Sequence, residues 1–110
     1  MNGSQDSDAP GARADSELRE KLRSEVLPAR WPDLLYQFAR GGLFLVDPEV
    51  DLLDVAEALA RDDRARTEQL LEAGALRRAS DDDARMLQGS PELRLQFVIV
   101  QPWVLAQVLR

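Results

Sequence analysis

Leu18, Leu22 and Val26 recur every four residues, which draws one apolar stripe along a helix. The stripe predicts a first helix that starts near Asp15 or Ser16, where a capping side chain meets Glu17, and that Pro28 ends. Glu17 and Lys21 stand at the spacing that lets them pair on its surface. Trp31, Leu34, Leu35 and Phe38 follow the i, i+3, i+4, i+7 pattern of a second helix, opened by Pro32 at its first position and closed by Gly41-Gly42. Leu43 to Val46 is an unbroken apolar run, consistent with a strand buried on both faces. Asp51 can cap a third helix whose core face is Leu52, Val55, Ala56 and Leu59.

The apolar rhythm breaks around Arg61-Asp62-Asp63. A fourth helix, from about Arg64 to Ala73, then brings in Leu70 and Leu71 and stops at Gly74. Ala75 to Ala79 reads as a short strand. Ser80, with Asp83 three residues on, resembles a capping box and predicts a short helix to Leu87, which Gly89-Ser90-Pro91 breaks. The final stretch alternates at Leu93, Leu95, Phe97 and Ile99, and Pro102 within it argues for a bulge or an edge position. Met1 to Ala14 has no apolar periodicity and reads as a flexible tail, which leaves residues 15–110 as a single domain. The expected fold is α+β: four or five short helices packed on a small antiparallel sheet of two or three strands, from Leu43–Val46, Ala75–Ala79 and Arg94–Gln101. The same element order is that of a winged helix, with Leu71 to Arg78 leaving a recognition helix for the wing.

Composition narrows the chemistry. The 110 residues hold 14 Lys and Arg against 20 Asp and Glu, a net charge of −6, and Lys21 is the single lysine. Such a field repels nucleic acid and anionic membranes unless the basic residues gather on one face. Cysteine and histidine are both absent. Disulfides, Cys/His metal sites and Ser-His-Asp or Cys-His catalysis therefore drop out on chemical grounds. Met1 to Ala14 shows no basic stretch followed by an apolar one, and Leu95 to Leu109 falls short of the roughly 20 apolar residues of a membrane span. A cytoplasmic protein with no membrane role, no cofactor and no metal is expected.

From Trp31 onward the chain resembles a family of short, uncharacterised bacterial proteins, a domain of unknown function. The resemblance is carried by Trp31, Arg40-Gly41, the run from Leu43 to Asp63 with its VDPxxDLxxVAxAxAxD spacing, Gly74, and the VIVQPWVLAQ block from Val98 to Gln107. The family's tryptophan in the fourth helix is replaced here by Leu70 or Leu71. The resemblance implies a bacterial domain and brings no activity, ligand or partner with it.

Three groups of residues carry candidate functions. Asp47, Glu49, Asp51, Asp54, Glu57, Asp62 and Asp63 form the densest set of carboxylates, of the kind that holds a hard cation. Read as an EF-hand loop from Asp47, however, the run has Leu52 in place of the sixth-position glycine and Ala58 in place of the twelfth-position acid. Ordinary roles as caps and solvated charges are preferred for these acids and for Ser80-Asp81-Asp82-Asp83. Arg61, Arg64, Arg66, Arg77 and Arg78 would be the nucleic-acid contacts of a degenerate winged helix, yet Asp62, Asp63, Glu68 and Glu72 lie among them. Pro102, Trp103, Val104 and Leu105 are the preferred interaction surface, on a C-terminal edge strand open to a protein partner or a second copy. With no catalytic motif present, the expected function is a non-enzymatic interaction or regulatory module.

Overall fold

The computed structural model describes residues 10–109, and side chains from residue 16 onward. Five helices and five strands lie among them: α1 (Pro10–Glu25), β1 (Leu27–Ala29), α2 (Trp31–Ala39), β2 (Leu43–Val46), α3 (Leu52–Ala60), α4 (Arg64–Glu72), β3 (Leu76–Arg78), α5 (Asp81–Gln88), β4 (Leu95–Val100) and β5 (Trp103–Val108). The strands form one mixed sheet in the order β1-β4-β5-β2-β3. β2 and β5 run parallel, and the other neighbours are antiparallel.

Helices cover both faces, so the central strands carry apolar residues on successive positions. On one face Val98, Val100, Leu105, Val46 and Leu76 pack with Leu22 of α1, Leu52, Val55 and Ala56 of α3, and Leu70 of α4. On the other, Leu43, Leu45, Leu95, Val104 and Ala106 pack with Trp31 and Leu34 of α2 and Leu87 of α5. Each fully buried Leu or Val contributes about 1.5–3 kcal/mol relative to exposure.

Local chemistry explains most helix boundaries. The Asp51 carboxylate accepts from the Leu53 N–H at 2.9 Å and starts α3. Asp63 does the same for α4, accepting from the Arg66 N–H at 3.1 Å. Gly41 and Gly74 adopt left-handed backbone, φ +76° and +75°, just beyond α2 and α4. There the Gly42 N–H reaches the Gln37 carbonyl and the Ala75 N–H the Leu70 carbonyl, which satisfies the last orphaned turn of each helix.

The fold class is the expected α+β, with more strands in its sheet. Pro28, expected only to end the first helix, lies inside β1, an edge strand where its missing N–H costs no ladder bond. Pro102 divides the last apolar stretch into two strands, and the Gln101-Pro102 bond at their turn is cis. The first helix begins at Pro10, before the expected Asp15, and residues 1–9 of the expected tail lie outside the described residues. Lys21 pairs with Glu25, at 3.4 Å. The winged-helix arrangement is absent among the described residues. α5 separates β3 from β4 where a wing needs a hairpin, and β2 pairs in parallel with β5.

Candidate interaction surface

The C-terminal block is not an edge. β5 pairs with β4 on one side and β2 on the other, so its backbone is saturated by the sheet. Val104 and Leu105 are buried on opposite faces and cannot meet a partner. Trp103 is partly buried, its ring and that of Phe44 meet in a T-shaped contact with 5.4 Å between centroids, and the Arg78 guanidinium lies over the Phe44 ring at 5.3 Å from its centre. Pro102 alone of the four is exposed, at the hairpin turn. The misreading came from Pro102: a proline that breaks a ladder marks either an edge or a turn, and here it marks a turn.

The five candidate nucleic-acid arginines do not share a face. Arg77 and Arg78 are neighbours on β3 and so point to opposite sides of the sheet. Arg78 is taken up by Phe44, and Arg77 by Asp83. Arg61 lies 3.8 Å from Glu57, Arg64 3.9 Å from Asp62, and Arg66 bonds Gln69 at 3.5 Å. A phosphate-tracking stripe of positive charge is not formed by these residues.

The carboxylates also separate into local roles. Asp47 accepts from the Glu49 N–H at 2.8 Å in the turn that leaves β2. Asp62 occupies the α3–α4 turn with φ +55°, a conformation that aspartate tolerates better than most residues. Asp51, Asp54 and Glu57 converge on one side chain, Arg19 of α1, at 2.7, 3.0 and 2.7 Å. The bond to Asp54 leads, against the cost of burial and with help from Glu57 and Asp51, in raising the Arg19 pKa above its ordinary value. The acidic face of α3 thus docks α1. Among the described residues no group of three or more acids is arranged to hold a metal ion.

Two buried polar side chains organise the sheet's end. Asp83, 8% exposed, accepts from the Ser80 N–H and hydroxyl, both at 2.9 Å, and from Arg77, while the Ser80 hydroxyl accepts from the Asp83 N–H at 3.1 Å. This is the capping box expected at Ser80. Burial opposes the Asp83 charge, but Arg77 and the two Ser80 donors outweigh it and hold its pKa below the ordinary carboxylate value. Gln107, 6% exposed, donates to the main-chain carbonyls of Asp47 at 2.9 Å and Val50 at 2.5 Å, and accepts from the Gln96 amide at 2.8 Å. Gln107 carries a local signal in the sequence, a lone amide in an otherwise apolar strand.

The open apolar surface lies at the other edge of the sheet. Leu27 of β1 sits directly across from Phe97 of β4, and Ile99 follows two residues on, on the same face. Leu27 and Ile99 are 52% and 47% exposed, and with Ser24 and Glu25 they line a shallow depression of about 290 Å³ over Phe97. β1 is three residues long with Pro28 at its centre, which blunts strand addition at this edge.

The described chain is thus an α+β domain whose mixed five-stranded sheet is covered on both faces and bears an apolar patch at its β1–β4 edge. Residues 17–108 match the family described as Protein of unknown function (DUF2288), and the chain belongs to that family. It is similar, at 40% identity over 84% of each chain, to PA1075 from Pseudomonas aeruginosa, a solution structure determined by NMR, with a TM-score of 0.72. No curated protein matches. Among the described residues no helix is long and apolar enough to cross a membrane.

Proposed function

We propose that the protein is a non-enzymatic interaction module of the bacterial cytoplasm, and that it docks a protein partner on the patch of Leu27, Phe97 and Ile99. The observation that carries this reading is the patch itself: three large apolar side chains, contiguous across β1 and β4, with two of them about half exposed. Contiguous exposed apolar side chains are the usual mark of a contact site, whereas singly scattered ones need no explanation. The absence of His and Cys from the sequence, and the structural employment of the acids by Arg19 and the helix caps, support a non-catalytic role.

The occupant we favour is a different protein with an apolar contact face in net-basic surroundings. A chain of net charge −6 repels its own copy and attracts such a partner. Because the Ile99 side chain points outward, Ile99→Lys tests the surface without disturbing the core. The experiment combines light scattering of the purified chain with capture from the native host, followed by an affinity measurement on the purified partner. The expected result is a monomer, and a basic partner whose binding weakens at least about tenfold with Ile99→Lys. A dimer that Ile99→Lys dissociates, or a partner indifferent to the substitution, overturns the reading.

A further inference from the structure

At the opposite end of the sheet a cavity of about 400 Å³ opens outside the carboxyl ends of β2 and β5, the parallel pair. Crevices at that position are where open α/β sheets bind small ligands, and this volume is at the small end of the range of about 300–1,000 Å³ for such sites. Its accessible walls are apolar: Met86 from α5, Leu93 from the loop before β4, and Val108 and Leu109 at the end of β5, over a floor of buried Leu45, Leu87 and Ala106. Two charged side chains of opposite sign, Asp47 and Arg77, line it with them.

Both charges are held in place. Asp47 commits Oδ1 to the Glu49 N–H, and its carbonyl is gripped by Gln107. A carboxylate has acceptor capacity beyond that one bond. Arg77 gives one terminal nitrogen, Nη1, to Asp83, which the Ser80 cap in turn fixes. A guanidinium has five N–H donors, so donors remain for a second carboxylate. Asp83 is a positioning residue: it is buried beneath Arg77 and sets the direction of the guanidinium.

We infer that this cavity binds a free α-amino acid with an aliphatic side chain, its carboxylate on Arg77, its ammonium on Asp47, and its side chain against Met86, Leu93 and Val108. Opposite charges beside an apolar pit complement a zwitterion with an apolar tail, and neither a simple anion nor a simple cation uses both. A dinucleotide or a sugar phosphate would bring more negative charge than Arg77 can meet beside Asp47 and Asp83.

The test is a titration of the full chain followed by amide NMR, with L-leucine as probe, and with 4-methylpentanoate (no ammonium) and 3-methylbutylamine (no carboxylate) as controls. The expected result is saturable shifts at Met86, Leu93 and Val108 with leucine, and binding of each control about tenfold or more weaker. Asp47→Asn preserves the acceptor for the Glu49 N–H, so it keeps the turn. It is expected to weaken leucine about tenfold and to leave 4-methylpentanoate unchanged, whereas Arg77→Met weakens both. No saturable shift with millimolar leucine, equal binding of the three compounds, or an unchanged leucine affinity in folded Asp47→Asn overturns the inference.

Discussion

Replacing Gln107 with leucine removes a buried donor that ties the loop after β2 to the central strand β5. The side chain is 6% exposed, and leucine fills nearly the same volume, so the change is in hydrogen bonding more than in packing. Two main-chain carbonyls, those of Asp47 and Val50, lose the amide that donates to them. The Asp47 carbonyl keeps the Val50 N–H at 3.0 Å, and the half-buried Gln96 can turn to water. A buried polar group left unpaired costs about 1–3 kcal/mol, and since the Val50 carbonyl is the one of the two that loses its donor without keeping another among the described residues, the loss is about 1–3 kcal/mol. For a domain of this size each kcal/mol moves the melting temperature by about 4–8 °C, so the midpoint of thermal unfolding followed by circular dichroism should fall by roughly 5–20 °C. Gln107→Glu sharpens the test. At neutral pH it presents a buried carboxylate to two carbonyl oxygens, and on acidification it regains one donor, so its deficit relative to wild type should shrink as pH falls. A Gln107→Leu chain that melts within a degree or two of wild type would refute the reasoning, because the bridge would then contribute nothing net.

Three further perturbations test other parts of the framework. Asp83 has a depressed pKa, so its contribution is present above its unfolded value, near 3.8, and is lost as pH falls through the lower folded value; the melting temperatures of wild type and Asp83→Asn should differ at pH 7 by the equivalent of about 1–2 kcal/mol and converge as pH falls through that folded value. Gly74 has φ +75° and open space where a Cβ would stand, so Gly74→Ala should cost about 1 kcal/mol in urea unfolding through backbone strain alone. Arg19→Met removes the half-exposed link from α1 to Asp51, Asp54 and Glu57, and should cost about 1 kcal/mol at low salt and less in molar sodium chloride.

What could be read from the chain without its structure was whatever a few neighbouring residues decide. The strand Leu43–Val46 was plain because four successive apolar residues have no solvent face to offer, and its observed bounds are the same. The caps at Asp51 and at Ser80 with Asp83 were plain because the bonds that make them span two or three residues. β1 was not, since three residues around a proline have no strand signal of their own and become a strand only by pairing with Leu95 to Phe97. Likewise the parallel match of β2 with β5 joins segments separated by most of the chain, and it moved Val104 and Leu105 from an imagined edge into the core.

The polar residues show the same division with more consequence for function. Arg19 gathers acids that lie 32, 35 and 38 residues away, and nothing near it in sequence signals that. Gln107 differs, because its anomaly is local: in Val104-Leu105-Ala106-Gln107-Val108 one amide interrupts a strand that is otherwise apolar on both faces. A buried amide there must find partners, and it finds them in the loop that opens with Val46-Asp47-Pro48. The two stretches that carry the family resemblance, the VDP run and the VIVQPWVLAQ block, therefore meet at a single hydrogen-bonded joint. That joint also holds Asp47, which with Arg77 lines the cavity outside the carboxyl ends of β2 and β5.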